Sequence, residues 1–98
     1  MNIVKNQEGS KLELMLSGRL DTTTAPQLES ELSNSIAGVT ALVLDFAALE
    51  YISSAGLRVL LSAQKTMNKQ GSMTVKNVCD DIRDVFDITG FSDILTIA

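Results

Sequence analysis

The amino-acid sequence predicts an α/β fold, a mixed and mostly parallel five-stranded sheet with three to four helices mainly on one face. Three observations carry that expectation. Strand-like and helix-like segments follow one another in the order ββαβαβαβ, which implies parallel strands joined by right-handed crossovers after one strand that pairs antiparallel. The run Ala41-Leu42-Val43-Leu44-Asp45-Phe46 is short and almost wholly apolar, as a central buried strand is. The second and fourth strands instead alternate, with Glu13, Ser17, Thr74 and Lys76 set between apolar residues, so helices are expected on one side of the sheet.

Ile3-Val4 opens a short first strand, and Glu8-Gly9-Ser10 turns the chain into Lys11 to Ser17, where leucines recur at every second residue as in a hairpin. Thr24-Ala25-Pro26-Gln27 matches a helix start, with Thr24 as N-cap, Gln27 closing a capping box and Pro26 in the first turn, where its missing N–H costs nothing. Ala25, Leu28, Leu32 and Ile36 continue at helical spacing until Gly38. The apolar run then forms the third strand and places Asp45 at its end. From Ser54 to Gln70, the polar residues Arg58, Ser62, Lys65 and Lys69 share one helical stripe and leave Leu57, Leu60, Leu61 and Met67 to face the core. Gly71 ends this helix, and Met73 to Lys76 alternates as the fourth strand. Asp80 or Asp81 is expected to cap a third helix that turns Ile82, Val85, Phe86 and Thr89 inward, with Gly90 as a left-handed stop and Phe91 packing back. Ile94 to Ile97 makes the last strand.

A chain of 98 residues is the size of one compact unit, and one domain spanning 1–98 is expected. Its longest apolar stretches fall far below the roughly 18 residues that span a bilayer. The first residues lack the basic start and apolar block of a secretory signal, so the reading is a cytoplasmic protein with no membrane partner. Cys79 is the only cysteine and there is no histidine, which removes an internal disulfide, the usual zinc ligand sets and imidazole-dependent nucleophilic catalysis. A net charge of −4 with scattered Lys and Arg disfavours nucleic acid. Gly56 followed by Leu57-Arg58 is not a phosphate-binding loop of the Walker kind, which needs more glycines and a lysine. No cofactor and no metal site are predicted.

In open α/β sheets the carboxyl ends of the strands form the usual ligand edge. Asp21, Asp45 and the segment Ser53-Ser54-Ala55-Gly56 are all expected there. From the residues alone, Ser53-Ser54 reads first as an N-cap and the two aspartates as turn or capping residues, with a magnesium site as the sharper alternative. The same helix start also suits an anion, because its first N–H groups are free and the helix dipole is positive there.

Three blocks resemble the anti-sigma factor antagonist family, whose module is the STAS domain, along nearly the whole chain. They are Leu16-Ser17-Gly18-Arg19-Leu20-Asp21 with Thr22 to Pro26, the strand Leu42 to Phe46, and above all Tyr51-Ile52-Ser53-Ser54-Ala55-Gly56-Leu57-Arg58-Val59-Leu60. Val85 to Phe91 is similar to the family's closing helix and its glycine stop. The resemblance implies a STAS-like domain that is not an enzyme, with Ser54 as the acceptor of a regulatory phosphate. It further implies a docking surface of Asp21, Thr22, Thr23, Ser53, Ser54, Gly56 and Arg58. The implied partners are an anti-sigma factor serine kinase of the GHKL type and a PP2C-type phosphatase, and the chain is expected to be a monomer. Many phosphorylated members carry Asp-Ser-Ser-Gly; Ser53 stands at the Asp place here and Ala55 at the second Ser. A second reading of the same resemblance is a non-phosphorylated STAS subunit of an ABC-type lipid-transport complex; apart from the resemblance, the residues leave a third reading, an enzyme or nucleotide-binding domain using Asp21 and Asp45.

Overall fold

A computed structural model describes residues 1–98. The elements run β1 (Asn2–Glu8), β2 (Lys11–Leu20), α1 (Ala25–Ser35), β3 (Ala41–Ile52), α2 (Ser54–Gln70), β4 (Ser72–Lys76), α3 (Asp80–Thr89), a short 3₁₀ turn (Phe91–Asp93) and β5 (Thr96–Ile97). They form one five-stranded sheet in the order β1-β2-β3-β4-β5, antiparallel between β1 and β2 and parallel elsewhere. The mixed, mostly parallel sheet expected from the sequence is therefore present.

The side-chain period of two decides which face is covered. Leu12, Leu14 and Leu16 of β2, Leu42, Leu44 and Phe46 of β3, and Met73 and Val75 of β4 are all buried in one cluster. Partner residues across the ladders, Leu12 with Leu42 with Met73 and Leu14 with Leu44 with Val75, lie on the same side. Leu28 and Leu32 of α1, Leu57, Leu60 and Met67 of α2, and Ile82 and Phe86 of α3 complete that cluster, so all three helices cover one face. On the other face the Lys76 ammonium bonds Glu13 at 2.9 Å and stands 4.0 Å from Asp45, a charged row that needs no helix over it.

α2 spans the residues its polar stripe indicates, with Arg58, Ser62, Lys65 and Lys69 exposed. Gly90 adopts the left-handed conformation, φ 81°, that stops α3. Three local expectations are corrected. Thr24 precedes α1 but makes no capping bond, and Gln27 reaches the Met1 carbonyl instead of closing a box. Cys79, not Asp80 or Asp81, occupies the N-cap position of α3; the two aspartates lie in its first turn, where negative charge complements the helix dipole. Thr89 points outward, and its hydroxyl satisfies the Val85 carbonyl at 2.6 Å, as threonines in helices do.

The third strand differs most. It runs to Ile52, six residues past Phe46, because two register shifts insert one extra β3 residue each, between Met15 and Ser17 and between Gly18 and Arg19 of β2. Each extra residue breaks the strict alternation, so the buried positions run Leu42, Leu44, Phe46, Leu49, Ile52. The last strand is also shorter than Ile94 to Ile97, since Ile94 ends the 3₁₀ turn.

At the exit of α2, the Ser72 amide donates to the Thr40 carbonyl at 2.9 Å, and a Cβ on Gly71 would fall on that carbonyl, 2.6 Å from its carbon. Backbone cannot yield as a side-chain tip does. Gly71→Ala should therefore lower stability by about 3 kcal/mol, the upper end for overpacking, read from the urea midpoint.

Candidate functional site

The carboxyl ends of β2 and β3 lie side by side. Leu20 pairs with Ile52, and the Ser53 amide donates to the Leu20 carbonyl at 2.9 Å. This bond sets the Asp21 turn beside the start of α2. Gly56 fits the first turn of α2 onto the two strand ends, because a Cβ there would lie 2.7 Å from Leu20 Cγ and 2.9 Å from Ile52 Cγ1. Gly56 is buried, so within the surface expected from the sequence it supplies close packing and no contact of its own.

Asp21 builds the turn that leads into α1. Its Oδ1 accepts the Thr23 amide at 3.0 Å, the Thr23 hydroxyl at 2.7 Å and the Thr24 amide at 3.2 Å. Its backbone carbonyl takes the Ala25 amide at 2.8 Å, while Thr24 holds the expected N-cap position and takes the Gln27 amide with its backbone carbonyl at 2.9 Å, not with its hydroxyl. The Thr24 hydroxyl faces backward, accepting the Asp21 amide and donating to the Arg19 carbonyl, both at 2.8 Å. The Thr23 hydroxyl bond, followed by the amide bonds, holds the Asp21 carboxyl below its ordinary value of 3.8. Arg19 stands 3.7 Å from Asp21 Oδ2 and lies over the Tyr51 ring at 4.1 Å.

Asp45 is not part of this edge. It sits opposite Met15 on the uncovered face, with seven residues of bulged β3 between it and Ser53, ~20 Å of strand. Its Oδ1 accepts the Ala47 amide at 2.9 Å and the Asn77 amide group at 3.0 Å. Burial opposes ionisation of Asp45, but these bonds and nearby Lys76 outweigh it and leave its pKa lowered. The expected convergence of Asp21, Asp45 and the serines thus fails for Asp45. No three His, Cys, Asp or Glu side chains gather as a metal cluster.

Ser53 and Ser54 have opposite environments. Ser53 is the N-cap residue of α2 by position, yet it makes no capping bond, and its Oγ is buried without a hydrogen-bond partner. Ser54 is the first residue of the helix and is exposed, as are Thr22, Thr23 and Arg58. Thr22, Pro26, Glu29 and Arg58 line a shallow groove between the starts of α1 and α2. The result is an open surface with one accessible hydroxyl at a helix start and no enclosed pocket around it.

Sequence reasoning missed Arg19, Tyr51 and the role of Thr24. Arg19 and Tyr51 meet only because the second bulge sets them opposite one another, and no local pattern reports a bulge. For Asp21, the succession Asp-Thr-Thr-Thr was itself an available signal, since aspartate side chains bond to amides two residues on.

Residues 2–98 match the STAS domain family, and the chain belongs to it. Among relatives, BtrV of Bordetella bronchiseptica, whose name assigns it provisionally to the anti-sigma factor antagonists, is 36% identical over 100 residues, covering 100% of this chain and 86% of that protein. The anti-sigma-B factor antagonist of Bacillus subtilis is 28% identical over 99 residues, covering 100% of this chain and 91% of its own length. The fold is also that of the anti-sigma factor antagonist SpoIIAA in its unphosphorylated form, with TM-score 0.79, 20% identity, and coverage of 99% of this chain and 87% of that one. No helix is long and apolar enough to cross a membrane.

Two substitutions test this geometry. Gly56→Ala gains helix propensity of about 1 kcal/mol but meets two buried side chains, so it should still lower stability, by about 1–2 kcal/mol net in urea denaturation. Asp21→Ala should lower the melting temperature, and Asp21→Asn, which keeps an acceptor oxygen, should lower it less. A carboxyl with a lowered folded pKa stabilises fully above its unfolded value and loses that contribution as pH falls through the folded value. The gap between wild type and Asp21→Ala should therefore hold above about pH 5 and close progressively below pH 3.8.

Proposed function

We propose that this protein is an anti-sigma factor antagonist that acts in the cytoplasm as a phosphorylation-controlled binding module and not as an enzyme. The observation that carries the reading is the contrast at the start of α2, where Ser54 is exposed and the Ser53 hydroxyl is buried. A kinase can reach one hydroxyl and not the other. Support also comes from relatives that bear the name of anti-sigma factor antagonist.

In this scheme the unphosphorylated chain docks on a GHKL-type anti-sigma kinase through Asp21, Thr22, Thr23, Ser54 and Arg58, with Ser53 and Gly56 setting the helix start beneath them, and a sigma factor is freed. The kinase supplies ATP. Ser54 Oγ forms a bond to the γ-phosphorus, the bond to the bridging oxygen breaks, ADP leaves, and a base on the kinase takes the hydroxyl proton. A PP2C-type phosphatase restores the serine by hydrolysis. The phosphate adds about −1.5 to −2 charge at neutral pH to the uncharged Ser53-Ser54-Ala55-Gly56 turn. Free N–H groups and the dipole at the helix start accept that charge, so the docking surface changes while the fold persists.

Tandem mass spectrometry after incubation with the cognate kinase and ATP should find one phosphate, on Ser54. Main labelling of Ser53, or of neither serine, would overturn the assignment. Ser54→Asp should keep a near wild-type melting temperature and bind the kinase at least about tenfold more weakly, equivalent to about 1.4 kcal/mol. Because no side-chain cap is present at this helix start, Ser54→Ala should stay within about 0.5 kcal/mol of wild-type stability.

A further inference from the structure

We propose that Arg58 is the built-in counter-ion of the Ser54 phosphate, so that modification both adds charge and withdraws a cation from the docking surface. The inference rests on the reading that Ser54 is phosphorylated and concerns how the same site is regulated. Both residues belong to α2, four positions apart, and both are exposed. Residues at that spacing are neighbours on one helix face, and side chains lean toward the helix N-terminus, which carries a guanidinium at 58 back over the turn that holds Ser54. An anion at the first position and a cation four residues later is also the favoured order for such a pair.

Arg58 is free to take this role. The ion pairs of the structure are Arg19 with Asp21 and Lys76 with Glu13 and Asp45; none includes Arg58, although it shares a groove with Glu29. Arg19, the other cation of this edge, is already held by Asp21 and by the Tyr51 ring. Before phosphorylation the surface therefore presents one uncommitted guanidinium, which selects a carboxylate on the kinase. Afterwards a dianionic phosphate one turn away competes for it, and a guanidinium binds phosphate with two parallel hydrogen bonds. The partner's carboxylate then loses its cation and faces a phosphate.

The test installs phosphoserine at position 54 of the full chain by genetic encoding, so no kinase is needed, and follows the phosphate by ³¹P NMR from pH 4 to 9. The second ionisation, near about 6 for a free phosphoserine, should lie about 0.3 pH units lower with Arg58 present than in Arg58→Gln. Arg58→Lys should recover most of the difference, and 0.5 M NaCl should narrow it. Both variants are exposed-site changes, and circular dichroism establishes that they are folded. Equal midpoints in wild type and Arg58→Gln would overturn the proposal while leaving the phosphorylation of Ser54 standing. Failure of the kinase to label Ser54 would instead remove the functional reading without altering the titration. With the unmodified proteins, Arg58→Gln should bind the kinase about fivefold or more weakly; unchanged binding would exclude the partner carboxylate.

Discussion

The start of α2 lies on the ends of β2 and β3 with no room for a Cβ between them, and the candidate site depends on that contact. Leu20 and Ile52 stand opposite each other in the ladder, and Gly56 is the residue of the helix that meets both. Because the helix cannot be lifted without opening this packing, its first residue projects Ser54 outward and turns Ser53 Oγ inward. The Ser53 amide is committed to the Leu20 carbonyl, which ties the helix start to the strand that delivers Asp21. The candidate edge is thus assembled from two loops by one hydrogen bond and one close contact.

Two aspartates that look alike in the sequence illustrate how position changes chemistry. Asp21 spends its carboxylate on the amides and hydroxyl of the next turn, which orders the loop leading to α1 and leaves it paired with Arg19. Asp45 spends its own on Ala47, Asn77 and Lys76, where it holds the first bulge of β3 and the end of β4 together on the uncovered face. Both are kept ionised by donors, and both serve the backbone. At the edge beside Ser54 the Asp21 carboxylate is therefore already engaged, while Arg58, which shares the groove with Glu29, is in no ion pair.

Legibility followed the range of the interactions involved. α2 was readable to its ends, since its polar stripe, the serines before it and the glycine after it act within a few residues. The covered and bare faces of the sheet were readable from alternation in β2 and β4. The extension of β3 to Ile52 was not, because two inserted residues break the alternation that marks a strand, and each is compensated only by its partner in β2. The N-cap position of α1, Thr24, was readable but its hydroxyl bond was not, for a related reason: that hydroxyl is drawn to the Arg19 carbonyl across the loop instead of to the first turn of the helix.

By itself, the order of apolar and polar residues determined that this chain would be α/β, with helices on one side and a helix opening on two serines and a glycine, because secondary structure and burial follow from local periodicity. Which serine would face solvent, which aspartate would stand beside it, and which arginine would remain unpaired were decided only when β2, β3 and α2 came together. Accessibility and charge pairing are properties of atoms brought close through space, across separations of more than thirty residues between Leu20 and Ser53. A bulge that shifts one strand by a residue is enough to reassign them.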